Sequence, residues 1–106
     1  YVIIKTAKKL YKRNIFMKED LYHREKNVCG KQIHLIRTGQ YDEKHKKMTQ
    51  DALAEALQAA GINIDRTAIS RIESGERFLR DTEILVFAKI LDVPINVLFS
   101  FDDDNK

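Results

Sequence analysis

The stretch from Met48 to Arg77 constrains this chain more than any other: two short apolar-faced segments lie in tandem, each opened by a helix-capping residue and closed by a glycine. Thr49 is a good N-cap, and Asp51 puts a carboxylate in the first turn, where the helix dipole favours it. Leu53, Ala56, Leu57 and Ala60 then recur on one face, with Gln50, Asp51, Glu55 and Gln58 on the other. Gly61 stops this helix. Asp65 caps the next one. On a helical wheel Ala68, Ile69 and Ile72 fall together, while Arg66, Thr67, Ser70, Arg71 and Ser74 fall opposite them. Gly75 ends that helix.

Helices are expected on both sides of this pair. Asn27 to Gln40 holds Val28, Ile33, Leu35 and Ile36 and reads as a first helix ending near Thr38 and Gly39. Gln40 to Lys47 is polar and charged and reads as a linker. Asp81 is expected to cap a fourth helix over Thr82 to Leu91, which Ile84, Leu85, Val86, Phe87, Ala88, Ile90 and Leu91 make apolar on nearly all sides. Such a helix is a central core element or a partner surface. Pro94 opens a last short helix with Ile95, Leu98 and Phe99 at core spacing. The closing FDDDNK reads as a frayed acidic tail.

The first residues are ambiguous. Ile3, Ala7 and Leu10 have helical spacing within a basic stretch, and Tyr1 to Ile4 is a weak strand candidate. Residues 1–16 are a fragment end, a cloning remnant or sequence upstream of a start at Met17; the sharper alternative is a basic arm that reaches DNA. The expected organisation is therefore a basic extension over 1–27, an all-α domain of about five helices over 28–100, and an acidic tail over 101–106.

With 106 residues the chain has the size of one domain, which buries roughly 60–70% of its unfolded surface. There is no internal repeat and no apolar run of membrane-spanning length, the basic opening YVIIKTAKKLYKRNIF lacks the continuous apolar core expected of a secretory signal, and Cys29 stands alone. The expected location is therefore a reducing interior, the cytoplasm. Charge is distributed unevenly. Residues 1–50 carry 13 Lys/Arg against 5 Asp/Glu, and residues 51–106 carry 6 against 11. That is either one face prepared for a polyanion or ordinary solvated charge.

Catalytic chemistry finds no support in the sequence. His23, His34 and His45 are each about three helical turns apart and form no metal set with Cys29. Gly30-Lys31 lacks the upstream glycine and following hydroxyl of a phosphate loop, and Ser70 and Ser74 have no nearby His–Asp arrangement. No enzyme activity, cofactor, metal or small-molecule ligand is expected.

The helix pair points elsewhere. One face of the second helix docks through Ala68, Ile69 and Ile72. The opposite face is polar, carries two arginines and has no acid, which suits insertion into a DNA groove while the other helix braces it. The order Arg37, then Thr49-Gln50-x-x-Leu53-Ala54, then Ile69-Ser70-x-Ile72-Glu73-x-Gly75-x-Arg77 resembles the helix-turn-helix of the lambda repressor/Cro-like (XRE-type) family over about Cys29 to Phe99. Leu85, Ala88, Leu91, Val93 and Leu98 extend the likeness into the closing helices.

That resemblance implies several roles. Arg66, Thr67, Ser70 and Arg71 would face base edges, where arginine's fork matches the two major-groove acceptors of guanine. Thr49 and Gln50, at the start of the first motif helix, would hold a phosphate, and Arg77 and Arg80 would clamp phosphate beyond the second. Arg37 and Glu73 would form a structural ion pair. Two departures stand out: the turn over 58–64 is about five residues longer than the family's compact form, and the long link before Gln50 carries Lys44, Lys46 and Lys47, which are phosphate contacts or part of a charged loop. The expected function is sequence-specific binding of double-stranded DNA by a homodimeric, repressor-like regulator. The alternative is a helical protein-interaction module that keeps the fold without specific DNA binding.

Overall fold

A computed structural model describes residues 25–100, which form four α-helices and a final 3₁₀ helix. They are α1 (Gly30–Arg37), α2 (Gln50–Ala59), α3 (Arg66–Glu73), α4 (Asp81–Leu91) and the 3₁₀ helix Ile95–Phe99. Among the described residues there is no strand, so the all-α class holds. The expected fifth α-helix is instead a 3₁₀ segment. The basic extension as far as residue 24, with its expected helix or strand, and the acidic tail lie outside the described residues.

Capping residues set most of the boundaries. Thr49 accepts the Ala52 N–H at 3.0 Å and Asp65 accepts the Ala68 N–H at 2.8 Å, so both motif helices start where their side-chain caps stand. α1 starts later than expected and ends where expected, at Arg37 with Thr38 as its C-cap. Asn27 lies outside it, and its Oδ1 accepts the N–H groups of Cys29 (2.9 Å) and Gly30 (2.6 Å) from before the helix. At the other end Gly39 adopts φ 79°, and the N–H of Gln40 returns to the Leu35 carbonyl at 2.9 Å. For α4 the cap is Arg80, not Asp81. Arg80 is extended, and its N–H is taken by the Glu83 carboxylate at 3.0 Å, which leaves Asp81 as the first helical residue. α4 stops at Asp92, whose left-handed φ of 59° belongs to a non-glycine residue.

The turn between α2 and α3 is long but ordered. Gly61 takes φ 90°, and the N–H of Ile62 returns to the Leu57 carbonyl at 2.9 Å, closing α2 with a Schellman-type end. Ile64 then turns fully inward, and its carbonyl accepts from the Gln58 amide at 3.3 Å. Burying such a side chain stabilises by about 1.5–3 kcal/mol. The extra residues therefore add to the core. Ala60, expected on the apolar face of α2, is instead exposed beyond the helix end.

One core joins all these elements. Ile33 and Ile36 from α1, Leu53 and Leu57 from α2, Ile69 and Ile72 from α3, and Phe87 from α4 are essentially inaccessible, and Leu98 of the 3₁₀ helix closes the base. α1 packs on α3, α4 and the 3₁₀ helix, and α2 packs on α3 and α4. α1 and α3 approach closely at Gly30, where an added Cβ would overlap the Ile72 carbonyl oxygen. Asn27 ties the same corner, its amide donating to the carbonyls of Ile72 (3.1 Å) and Arg77 (2.8 Å). α4 is a core helix on one side only, because Leu85 is exposed; Phe78, Ile95 and Phe99 are also exposed.

Candidate nucleic-acid interface

α3 is anchored on one side and open on the other. Ile69 and Ile72 are fully buried, while Arg66, Thr67, Ser70 and Arg71 are exposed along the outer face. The structure thus brings together all four residues that the sequence assigns to base edges. Two acids lie at the margins. Asp51 Oδ2 is 3.9 Å from Arg66 Nη1, and Glu76 Oε1 is 4.0 Å from Arg71 Nε. All four of these side chains are more than half exposed, and such pairs are worth under about 1 kcal/mol, so the arginines remain available.

Behind this face lies a polar network. Arg37 Nε donates to Glu73 Oε2 at 2.6 Å, and its Nη2 to Glu73 Oε1 at 3.0 Å. Both side chains are less than a tenth exposed. Arg37 Nη1 also donates to the Met48 carbonyl at 2.9 Å, so one guanidinium joins α1, α3 and the chain entering α2. Glu73 additionally receives the Gln50 amide at 3.2 Å and stands 2.9 Å from His34 Nδ1. Burial pushes the Glu73 carboxyl up, but the hydrogen bonds from Arg37 and His34 outweigh it and hold the group below the usual carboxylate range. No buried side-chain N or O among the described residues lacks a partner.

The residues assigned to phosphate divide into two sets. Lys46 and Lys47 are exposed in the segment leading into α2, and Thr49 stands at its N-terminus, where the first N–H groups of a helix lack intrahelical partners. Arg80 is also exposed. Gln50 and Arg77 are placed differently from the expectation. The Gln50 amide is turned to Glu73 and donates to its carboxylate instead of standing free at the helix start. Arg77 Nη1 lies 3.2 Å from Glu83 Oε1 and also donates to the Phe78 carbonyl at 3.0 Å, so its guanidinium braces the entry to α4. Glu83 is itself largely buried. Burial raises its carboxyl, and the Arg80 N–H and Arg77 side chain bring it below the usual range.

Sequence reasoning missed Asn27, His34 and Glu83. Asn27 and His34 act on partners far along the chain, and no local window shows those pairings. Glu83 pairs locally, with the Arg80 N–H and the Arg77 side chain, and its place at the third position of α4 is the capping signal that could have found it. The buried Cys29 thiol is pushed up to about 11 by burial, which makes it a core side chain without nucleophilic character. Among the described residues no group of His, Cys, Asp and Glu could hold a metal, and no helix is long and apolar enough to cross a membrane.

Comparison with known families decides the class. A family model described as helix-turn-helix matches residues 43–98, more than half of the chain. The chain belongs to the lambda-repressor-like (XRE-type) helix-turn-helix family. The matched span contains α2, the lengthened turn, α3 and α4, and it supports DNA binding and transcription regulation as the general role of this helix-turn-helix chain. No curated protein and no solved structure matches it.

Proposed function

We propose that this helix-turn-helix chain is a sequence-specific reader of double-stranded DNA and acts as a repressor-like transcriptional regulator in the cytoplasm. The observation that carries the reading is the outer face of α3: Arg66, Thr67, Ser70 and Arg71 are exposed on a helix whose opposite side is locked by Ile69 and Ile72. With α3 in the major groove, Arg66 and Arg71 hydrogen-bond base edges, and Thr67 and Ser70 add adaptable donors and acceptors. The start of α2, with Thr49, the backbone N–H of Gln50, and Lys46 and Lys47 before it, approaches the phosphate backbone and fixes the register. Arg80 reaches phosphate beyond α3. Arg77 joins it only by leaving Glu83, so its main part is to hold the α4 entry. Arg37 and Glu73 serve as the structural pair that sets α1 against α3.

A single α3 reads few base pairs, and a homodimer placing two copies one helical turn apart supplies the rest. The exposed Leu85, Ile95 and Phe99 offer apolar surface for the second copy. The same surface favours one other reading, a helical protein-interaction module without specific DNA binding. Selection from a random duplex library at near-physiological salt separates the two. Enrichment of a palindrome with half-sites about ten base pairs apart supports the dimeric reader. Uniform, salt-sensitive recovery reduces the function to backbone binding, and no recovery favours the interaction module.

A further inference from the structure

The segment between α1 and α2 contains a side chain that the reading above does not use. His45 stands between two acceptors. Its Nδ1 lies 2.6 Å from Asp42 Oδ1 in its own turn, and its Nε2 lies 3.0 Å from the carbonyl oxygen of Asp92. Asp92 caps the C-terminus of α4 in a left-handed conformation, so that carbonyl belongs to the negative end of a helix dipole. A neutral imidazole has one N–H and a charged one has two. Only the imidazolium donates to both oxygens at once.

The surroundings reinforce this arrangement. Asp42 Oδ1 also accepts the backbone N–H groups of Lys44 (3.1 Å) and His45 (2.9 Å), closing the turn on itself, and the Tyr41 ring meets the imidazole edge-on with centroids 5.5 Å apart. The charged groups around the ring are Asp42, Lys44, Lys46 and Lys47 of its own segment, Asp92 of α4 and Arg37 of α1. Arg37 is committed to Glu73 and the Met48 carbonyl. The lysines oppose a charge on the ring. The Asp92 carbonyl and the Asp42 carboxylate favour it and lift His45 above the ordinary histidine range.

We propose that His45 is a proton-dependent positioning residue: its imidazolium latches the Gln40–Met48 segment to the C-terminus of α4 and thereby holds Lys44, Lys46 and Lys47 beside the N-terminus of α2 for the DNA backbone. This rests on the DNA-binding reading above. On loss of a proton the remaining N–H stays on Nδ1 with the Asp42 carboxylate, the stronger acceptor, so the Nε2 lone pair faces the Asp92 carbonyl and the segment parts from α4. The Arg37–Met48 hydrogen bonds still hold the junction with α2. The lysines then meet phosphate from a loose segment, and fewer of them are engaged at a time.

The test uses the full chain and a short fluorescein-labelled duplex of mixed sequence, with anisotropy titrations over a range of salt and from the acid to the alkaline side of neutrality. In the wild type the salt slope is expected to fall by about 1–2 as pH rises, since each phosphate contact contributes about 0.9. The fall should track the His45 midpoint read by NMR of the ring. His45→Gln should show the shallow slope at every pH, and Asp42→Asn should lower both the NMR midpoint and the binding transition. A wild-type pH dependence retained in His45→Gln, or titration of His45 with no change in slope, would overturn the proposal. Failure of the DNA reading looks different: the wild type binds the duplex at no pH. That outcome removes the lysine role, and amide exchange over residues 40–48 of the free chain then judges the latch alone. Protection lost with rising pH in the wild type but not in His45→Gln upholds it, and pH-independent protection overturns it.

Discussion

Arg37 and Glu73, 36 residues apart, share two hydrogen bonds at 2.6 and 3.0 Å and fix the end of α3 to the end of α1. The guanidinium comes from the last turn of α1 and the carboxylate from the last residue of α3. Because both are largely withdrawn from water, removing one leaves the other charge unpaired.

Glu73→Ala should therefore destabilise by about 3 kcal/mol, the low end for breaking a buried pair, since Arg37 keeps the Met48 carbonyl. A thermal melt checks this, and an unchanged midpoint would show the pair to be dispensable. The sign of the pH effect follows from the lowered carboxyl. Its stabilisation is present above the unfolded carboxylate pKa and is lost as pH falls through the lower folded value. Wild-type stability should thus drop on acidification below about pH 4.3, the ordinary glutamate value, with a smaller drop in Glu73→Ala.

Gly30→Ala should destabilise by roughly 1–3 kcal/mol although alanine is the better helix former. The added methyl would overlap the Ile72 carbonyl, a backbone atom that cannot rotate away. Chemical denaturation of the variant measures the loss, and a stabilised variant would mean that α1 and α3 separate without penalty.

Arg71→Ala should weaken binding to a selected operator by on the order of 1–3 kcal/mol and relax preference at one base position. Equal weakening on operator and random duplex would assign the arginine to phosphate instead. Replacing Lys46 and Lys47 together by alanine should weaken both duplexes alike and reduce the salt slope by about 2, one for each lysine lost. A changed base preference in that variant would contradict the backbone role.

Cys29 should resist alkylation in the native chain and react only as fast as global opening allows, because burial both shields the thiol and raises it to about 11. Iodoacetamide labelling followed by mass spectrometry, with and without denaturant, reads this directly. Rapid native labelling would place the N-cap of α1 outside the core.

Much of the architecture is legible in the chain itself. Thr49, Asp65, Gly61 and Gly75 mark both motif helices because caps and left-handed closures act within four residues of their position. The arginine-bearing face of α3 follows from helical period alone. Ile64 does not stand out, since it belongs to no periodic stretch and resembles an insertion until α2 and α3 are folded around it. Asn27, which reaches Ile72 and Arg77 across 45 and 50 positions, and His45, which reaches Asp92 across 47, are equally silent. A polar residue that satisfies a distant backbone group leaves no trace among its neighbours in sequence. Arg77 shows the converse: its position matches a phosphate clamp, but the nearby Glu83 carboxylate occupies it.

Ile64 bears on how binding would proceed. A lengthened connection that hung in solvent would act as a hinge, and ordering it on a DNA surface would subtract its conformational entropy from the affinity. With Ile64 seated in the core, that ordering takes place during folding. α3 would meet a DNA target as part of a rigid body, and association would spend little on rearrangement within the helix pair.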